Sequence, residues 1–128
     1  MQLPAHLHYT KDHEWISKPS GTAKVGVSAY AIEQLGDIVH IELPAVGSSI
    51  EARDSFGTIE STKTVSDLYM PVGGKIKAVN EEVLRSPHLL HEDPYEKGWL
   101  IEVELSPNSK KETLLSADQY ESYIQEEG

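Results

Sequence analysis

Apolar and polar positions alternate along most of the chain. Ala23, Val25 and Val27 are separated by Lys24 and Gly26. Val39, Ile41 and Leu43 are separated by His40 and Glu42, and Trp99, Ile101, Val103 and Leu105 by Leu100, Glu102 and Glu104. A period of two puts alternate side chains on one face, so each run predicts a strand with one buried side. Residues 55–60 and 65–69 predict two more. Turn residues fall between the runs, at Pro19-Ser20-Gly21, Pro44-Ala45-Val46-Gly47 and Pro71-Val72-Gly73-Gly74. Helical signals are few and short. Ser28 is placed to N-cap residues 29–35, with Gly36 at the position after the helix that favours glycine. Ser116 and Gln119 form an S-x-x-Q capping box, and behind it Ala117, Tyr120 and Ile124 fall on one helical face. That helix is expected to pack back on the sheets, with Glu126-Glu127-Gly128 fraying. The expected fold is mainly β: two small antiparallel sheets with short helices, one at the C-terminus.

A short repeat runs through the middle: Val46-Gly47-x-x-Ile50-x-Ala52 returns as Val72-Gly73-x-x-Ile76-x-Ala78. It reads either as a turn entering a strand twice by chance or as two similar halves related by a pseudo-dyad. Between the copies, Ser61-Thr62-Lys63-Thr64 joins two strands and is short and polar, which predicts a tight hairpin. The usual Asn-Gly or Asp-Gly signal is missing, so the turn type is left open, but Lys63 is expected at an exposed tip.

Composition narrows the function. The 128 residues make one ordinary domain, expected to span 1–128, with enough apolar residues (38%) for a core. Eleven basic residues are scattered among 21 acidic ones, for a net charge of −10, which argues against nucleic acid and for basic faces on partner proteins. There is no cysteine, so disulfides, thiolate metal sites and a cysteine nucleophile are excluded, and any sulfur redox chemistry must come from an attached group. The start, Met1-Gln-Leu-Pro-Ala-His, lacks the charged and apolar regions of a leader, and no apolar run approaches a membrane span. The expectation is a bacterial cytoplasmic protein, or one of the mitochondrial matrix if processed from a eukaryotic precursor.

On physical grounds alone Lys63 is unpromising. An exposed lysine is protonated at neutral pH and is a poor nucleophile without desolvation or a cationic neighbour, and Glu60 and Asp67 nearby favour the charged form. It makes better sense as a point of attachment that another enzyme can reach. The histidine pairs His6-x-His8 and His88-x-x-His91 lie far apart in sequence and do not predict a metal site. Tyr9, Trp15, Tyr95 and Trp99 read as packing residues.

The chain resembles the glycine cleavage system H proteins, the lipoyl carriers of that system, almost end to end. The resemblance is carried by Tyr9-Thr-Lys-Asp-His-Glu-Trp15, Leu35-Gly-Asp-Ile-Val39, Ile41-Glu-Leu-Pro44, Phe56-Gly57, Glu60-Ser-Thr-Lys-Thr-Val-Ser-Asp-Leu68, Asn80-Glu81, Ser86-Pro87 and Glu92-Asp-Pro-Tyr-Glu-Lys-Gly-Trp-Leu100, in the family's order and spacing. It implies a lipoyl-type barrel-sandwich hybrid with lipoic acid in amide linkage to Lys63. It implies a carrier that is not itself an enzyme, shuttling the aminomethyl group of glycine from the pyridoxal-phosphate glycine decarboxylase (P protein) to the tetrahydrofolate-dependent aminomethyltransferase (T protein). Dihydrolipoyl dehydrogenase (L protein) then takes the electrons, and a lipoate-attaching enzyme is a further partner. A monomer is expected. An arm of on the order of ten bonds reaches more than ~10 Å, and tethering raises its effective concentration at each partner.

The resemblance also points to Glu14 and Asp67 as lining a cleft for the cationic amine of the loaded arm; the plain reading is two exposed acids on an acidic protein. Glu60 matches an acidic position near the modified lysine, for recognition of the hairpin. Thr62 and Thr64 flank the lysine where many relatives have Val and Ala, and Gln34 and His40 sit in variable places. Biotin carriers are disfavoured, since their lysine lies between two methionines and the nearest here is Met70. A detached lipoyl domain would lack the 9–15 segment and the 99–125 extension. Two alternatives use the same residues: a relay that donates lipoyl groups to other proteins, and a non-lipoylated interaction protein of the same fold.

Overall fold

A computed structural model describes residues 3–17, 21–106 and 114–127. Within them the chain runs β1 (His8–Tyr9), β2 (Glu14–Ile16), β3 (Thr22–Val27), α1 (Ala29–Leu35), β4 (Ile38–Glu42), β5 (Ser49–Ile50), β6 (Ser55–Ser61), β7 (Val65–Tyr69), β8 (Gly74–Val79), α2 (Glu81–Arg85), α3 (Leu89–Glu92), β9 (Ile101–Leu105) and α4 (Ala117–Glu127). The strands form two sheets, ordered β1-β2-β3-β9-β8-β5 and β4-β6-β7, with antiparallel pairing throughout. The inward faces meet in one apolar core that includes Val25, Ile41, Ile59, Leu68, Ile76, Ile101 and Val103. Burying these faces against each other removes apolar area from water and holds the two sheets together.

A second cluster lies under the C-terminal helix. Tyr120 of α4 is buried with Leu7, Tyr9 and Trp15, and Ala117 and Ile124 pack beside them, as the helical spacing predicts. The Tyr9 and Tyr120 rings stack at 4.8 Å and 2°. The capping box forms: the Ser116 amide donates to Gln119 Oε1 (2.9 Å) and the Gln119 amide to Ser116 Oγ (3.2 Å). Helix α4 continues through Glu127, so the expected fraying at Glu126 and Glu127 is not seen, and Gly128 lies outside the described residues. So do Pro19 and Ser20 of the first expected turn, whereas Gly21 has φ 70°. Tyr9 and Trp15 pack as expected, and Trp15 Nε1 donates to the Pro94 carbonyl at 3.0 Å.

Two strand expectations need correction. Val39 is 51% exposed, because the β4–β6 register shifts between Ile38 and His40 and the buried positions become Ile38 and Ile41. One extra residue reverses the inside-outside phase. Trp99 precedes its strand, which begins at Ile101; its ring lies under Lys24 Nζ, 5.1 Å away. The repeat proves to be structural in one respect. Its copies meet as neighbours β5 and β8, with Ser49 directly opposite Lys75, its equivalent 26 positions on. Beyond that pairing the copies differ: Val46 is exposed where Val72 is buried, and Gly47 has φ 97°, a left-handed conformation that Gly73 does not share.

Candidate functional site

The β6–β7 hairpin is held at its tip by a side chain. The Ser61 amide donates to the Thr64 carbonyl (2.8 Å), while Ser61 Oγ accepts from the amides of Lys63 and Thr64 (3.1 Å each). The Thr62 amide donates to the Asp37 carbonyl at 3.0 Å, tying the tip to the chain that follows α1. Positive φ among the described non-glycine residues occurs at His13 and Arg53, so this turn is not the mirror-image type that Asn-Gly serves. A serine hydroxyl supplies the turn bonds instead.

Lys63 is exposed at this tip, as expected. Its side chain crosses the end of α1. A Cβ added to Gly36 would sit 3.1 Å from Lys63 Cε and 3.5 Å from Nζ, and Gly36 itself has φ 83°. The helix therefore ends in a residue that accepts left-handed backbone and leaves room for the lysine stem.

Leu35, the residue before Gly36, belongs to the wall of a cleft of about 280 Å³ between α1, the β1–β2 turn and β7. Val27, Ala31, Leu35, Ile59 and Leu68 give it apolar lining; Asp12, Glu14 and Asp67 give it three carboxyl groups. This lining suits an aliphatic chain tipped by a cation. Helix α1 is fixed at its start by two hydroxyls, since the Ala29 amide donates to Tyr95 Oη (2.9 Å) and the Ala31 amide to Ser28 Oγ (3.3 Å).

Glu14 and Asp67 thus come together in one cleft, but their environments differ. Glu14 is not an exposed acid: it is 2% accessible. Its Oε1 accepts from Thr10 Oγ1 (3.0 Å) and its Oε2 from the Tyr69 amide on the free edge of β7 (3.1 Å). Burial pushes its carboxyl up to about 8, against the pull of those two donors, with Asp12 adding a smaller rise. Asp67 stays exposed, and its charge is the first cause that raises the Tyr69 phenol. Glu60 is outside the cleft, exposed on β6 between His40 and Val65 of the neighbouring strands. Sequence reasoning missed Asp12, His13 and Tyr30 as lining residues and gave Gln34 no role. The run Asp12-His13-Glu14 was the available signal, three titratable residues at the turn into a buried strand. Among the described residues no group of three His, Asp or Glu is placed to hold a metal, and no helix is long and apolar enough to cross a membrane.

Two sheets closed over one core, with a rigid hairpin presenting a lysine beside an acid-lined cleft, define the lipoyl-type barrel-sandwich class of carrier folds. The family model described as glycine cleavage H-protein matches residues 7–127. The glycine cleavage system H protein of Carboxydothermus hydrogenoformans is 51% identical over 126 residues, covering 98% of this chain and 97% of the relative. That of Staphylococcus haemolyticus is 49% identical over 126 residues, covering 98% and 100%. The crystal structure of a glycine cleavage system H protein from Mycobacterium marinum superposes with a TM-score of 0.87 at 39% identity, covering 98% of this chain and 99% of that one. The chain belongs to the glycine cleavage H-protein family.

Proposed function

We propose that the chain acts as a single domain over residues 1–128 that carries lipoate in amide linkage on Lys63 and serves as the carrier of the glycine cleavage system. The observation that supports this most is the exposed Lys63 on a braced hairpin, its stem lying over Gly36, the neighbour in sequence of Leu35 in the wall of a cleft that Glu14 and Asp67 also line. When bound, the lipoyl group supplies a disulfide that accepts the aminomethyl group of glycine, yields it, and is reoxidised from the dithiol. The protein's own residues tether, orient and shield, and the conversions belong to the glycine decarboxylase, the aminomethyltransferase and the dihydrolipoyl dehydrogenase. The chain is not an enzyme in this reading, and it works as a monomer in the bacterial cytoplasm.

Each site residue then has a task. Ser61 keeps the tip in one conformation for the lipoate-attaching enzyme, and Glu60 offers that enzyme an acidic mark. Gly36 leaves room for the stem at the end of α1. Asp67 and Asp12 draw a cation to the cleft mouth. Glu14 is mostly protonated at neutral pH in the resting cleft; a cation brought beside it favours the carboxylate, so Glu14 gives up its proton and pairs with the charge.

Intact mass with peptide mapping, on protein from lipoate-replete cells, should give a lipoyl increment on Lys63. An unmodified Lys63, or an increment elsewhere, would overturn the assignment. Given the increment, glycine–bicarbonate exchange with the partner decarboxylase should need this protein, and Lys63→Arg should be inert.

A further inference from the structure

Helix α4 is not among the elements that line the cleft, yet one of its hydroxyls holds two of the cleft's walls. Tyr120 is fully buried. Its Oη lies 2.7 Å from His13 Nδ1 and 2.7 Å from Ser28 Oγ, both at hydrogen-bond distance. Either direction of donation makes a continuous chain, because a phenol donates once and accepts at the same oxygen. The two partners sit at structurally decisive places. Ser28 is the N-cap of α1, its Oγ also accepting from the Ala31 amide, and α1 supplies Tyr30, Ala31, Gln34 and Leu35 to the cleft.

His13 is the other wall. It lines the cleft with φ 72°, a left-handed conformation that a histidine adopts when its surroundings hold it there. The imposing bonds include the His13 amide to the Thr10 carbonyl (3.0 Å), the Ser28 amide to the His13 carbonyl (2.9 Å), and the side chain to Tyr120. The next residue, Glu14, is buried. Residues 13 and 28 are thus joined twice, once by backbone and once through the phenol.

We infer that the Tyr120 hydroxyl is a positioning residue for the cleft, fixing the β1–β2 turn against the start of α1 so that Glu14 stays enclosed and a loaded arm stays out of water. This deepens the carrier reading and rests on it for its last clause. Positioning follows from geometry: Tyr120 bridges elements 92 and 107 residues away in sequence, and the ring stack on Tyr9 holds it there. Without the hydroxyl the stack and the buried volume survive, but the side-chain bracing between the two walls is lost and only the backbone bond from Ser28 to His13 joins them.

Tyr120→Phe tests this, with Tyr9→Phe as its matched control. Tyr9 is the other member of the stack, equally buried, and its hydroxyl donates to the Pro4 carbonyl at 2.9 Å, away from the cleft. Both variants lose one buried hydroxyl, so both should lose a few degrees of melting temperature at most. The first readout needs no arm: the Glu14 side-chain carbon is followed by NMR through a pH titration of the unmodified protein. Tyr120→Phe should lower the Glu14 midpoint by about one pH unit as water enters, and Tyr9→Phe should leave it in place. Amide exchange at residues 13, 14 and 31 should quicken about fivefold or more in Tyr120→Phe alone, the factor expected for one net hydrogen bond. An unchanged Glu14 midpoint, or equal changes in the two variants, would overturn the inference.

The second readout is the half-life of the aminomethyl group on the lipoylated protein after loading by the decarboxylase, with the partners removed. Water adds to the methylene carbon, the carbon–sulfur bond breaks, and formaldehyde, ammonium and a thiol are released with no change of oxidation state. Tyr120→Phe should shorten this half-life about threefold or more relative to Tyr9→Phe; equal half-lives would remove the shielding role. No lipoyl increment on Lys63 would defeat the carrier reading and the shielding with it, while the Glu14 titration would still decide the positioning.

Discussion

Two groups donate hydrogen bonds to the Glu14 carboxyl, and on that ground alone it would ionise easily. Enclosure outweighs them and raises it from 4.5 to about 8. The folded state therefore holds a proton on Glu14 that the unfolded chain gives up, and stability falls as pH rises from about 4.5 to about 8. Glu14→Gln removes that slope. Thermal melts should show the variant less stable than the parent near pH 4, where only the amide's need for an acceptor counts, and more stable than it at pH 9, by about 2 kcal/mol, once the cost of the buried carboxylate outweighs that need. A variant no more stable than the parent at pH 9 would mean that Glu14 is not held neutral. In the sequence, Glu14 could be named only through resemblance. The run Asp12-His13-Glu14 and the nearby Thr10 are local, but the Tyr69 amide that closes over the carboxyl comes from β7, 55 residues on, and no local pattern records it.

Among the elements, the hairpin and the helix caps were the most legible, because their chemistry is local. Ser28, Gly36, Ser116 and Gln119 act within four residues of themselves and do what their types predict. The turn of the hairpin was left open for want of a glycine, and Ser61 answers it. Ser61→Ala removes the acceptor for two amides and should destabilise the protein by about 1–2 kcal/mol in urea unfolding. It should also slow lipoylation of Lys63 by purified lipoate-attaching enzyme, since the tip then samples other shapes; unchanged stability and rate would show that the hydroxyl is dispensable. Gly36→Ala places a Cβ 3.1 Å from the lysine stem at a φ of 83°, and should cost about 1 kcal/mol of stability while redirecting Lys63. A crystal structure of this variant with Lys63 unmoved would contradict the role of Gly36 in making room for the stem. What alternation could not reveal was the β4 bulge, since a phase reversal needs the partner strand in view.

At the scale of the whole molecule, the sheet order, the meeting of the repeat copies and the Tyr120 bridge all depend on contacts across many tens of residues. No local pattern records them. Net charge does read directly from the sequence, and at −10 it predicts association with basic partner faces that weakens with salt. The association rate with the partner decarboxylase should fall about tenfold between 0.05 and 0.5 M salt in stopped-flow mixing. A rate insensitive to salt would mean that the acidity does not steer the encounter. The free edge of β7 has a further consequence. A bare strand edge invites the strand of a neighbouring molecule, yet this one forms a wall of the cleft, with the Glu14 carboxyl on one of its amides and the Asp67 carboxylate beside it. The same two carboxyl groups thus guard the protein against its own copies, and neutralising the carboxylate at low pH should turn it toward aggregation, which light scattering through a pH series would show.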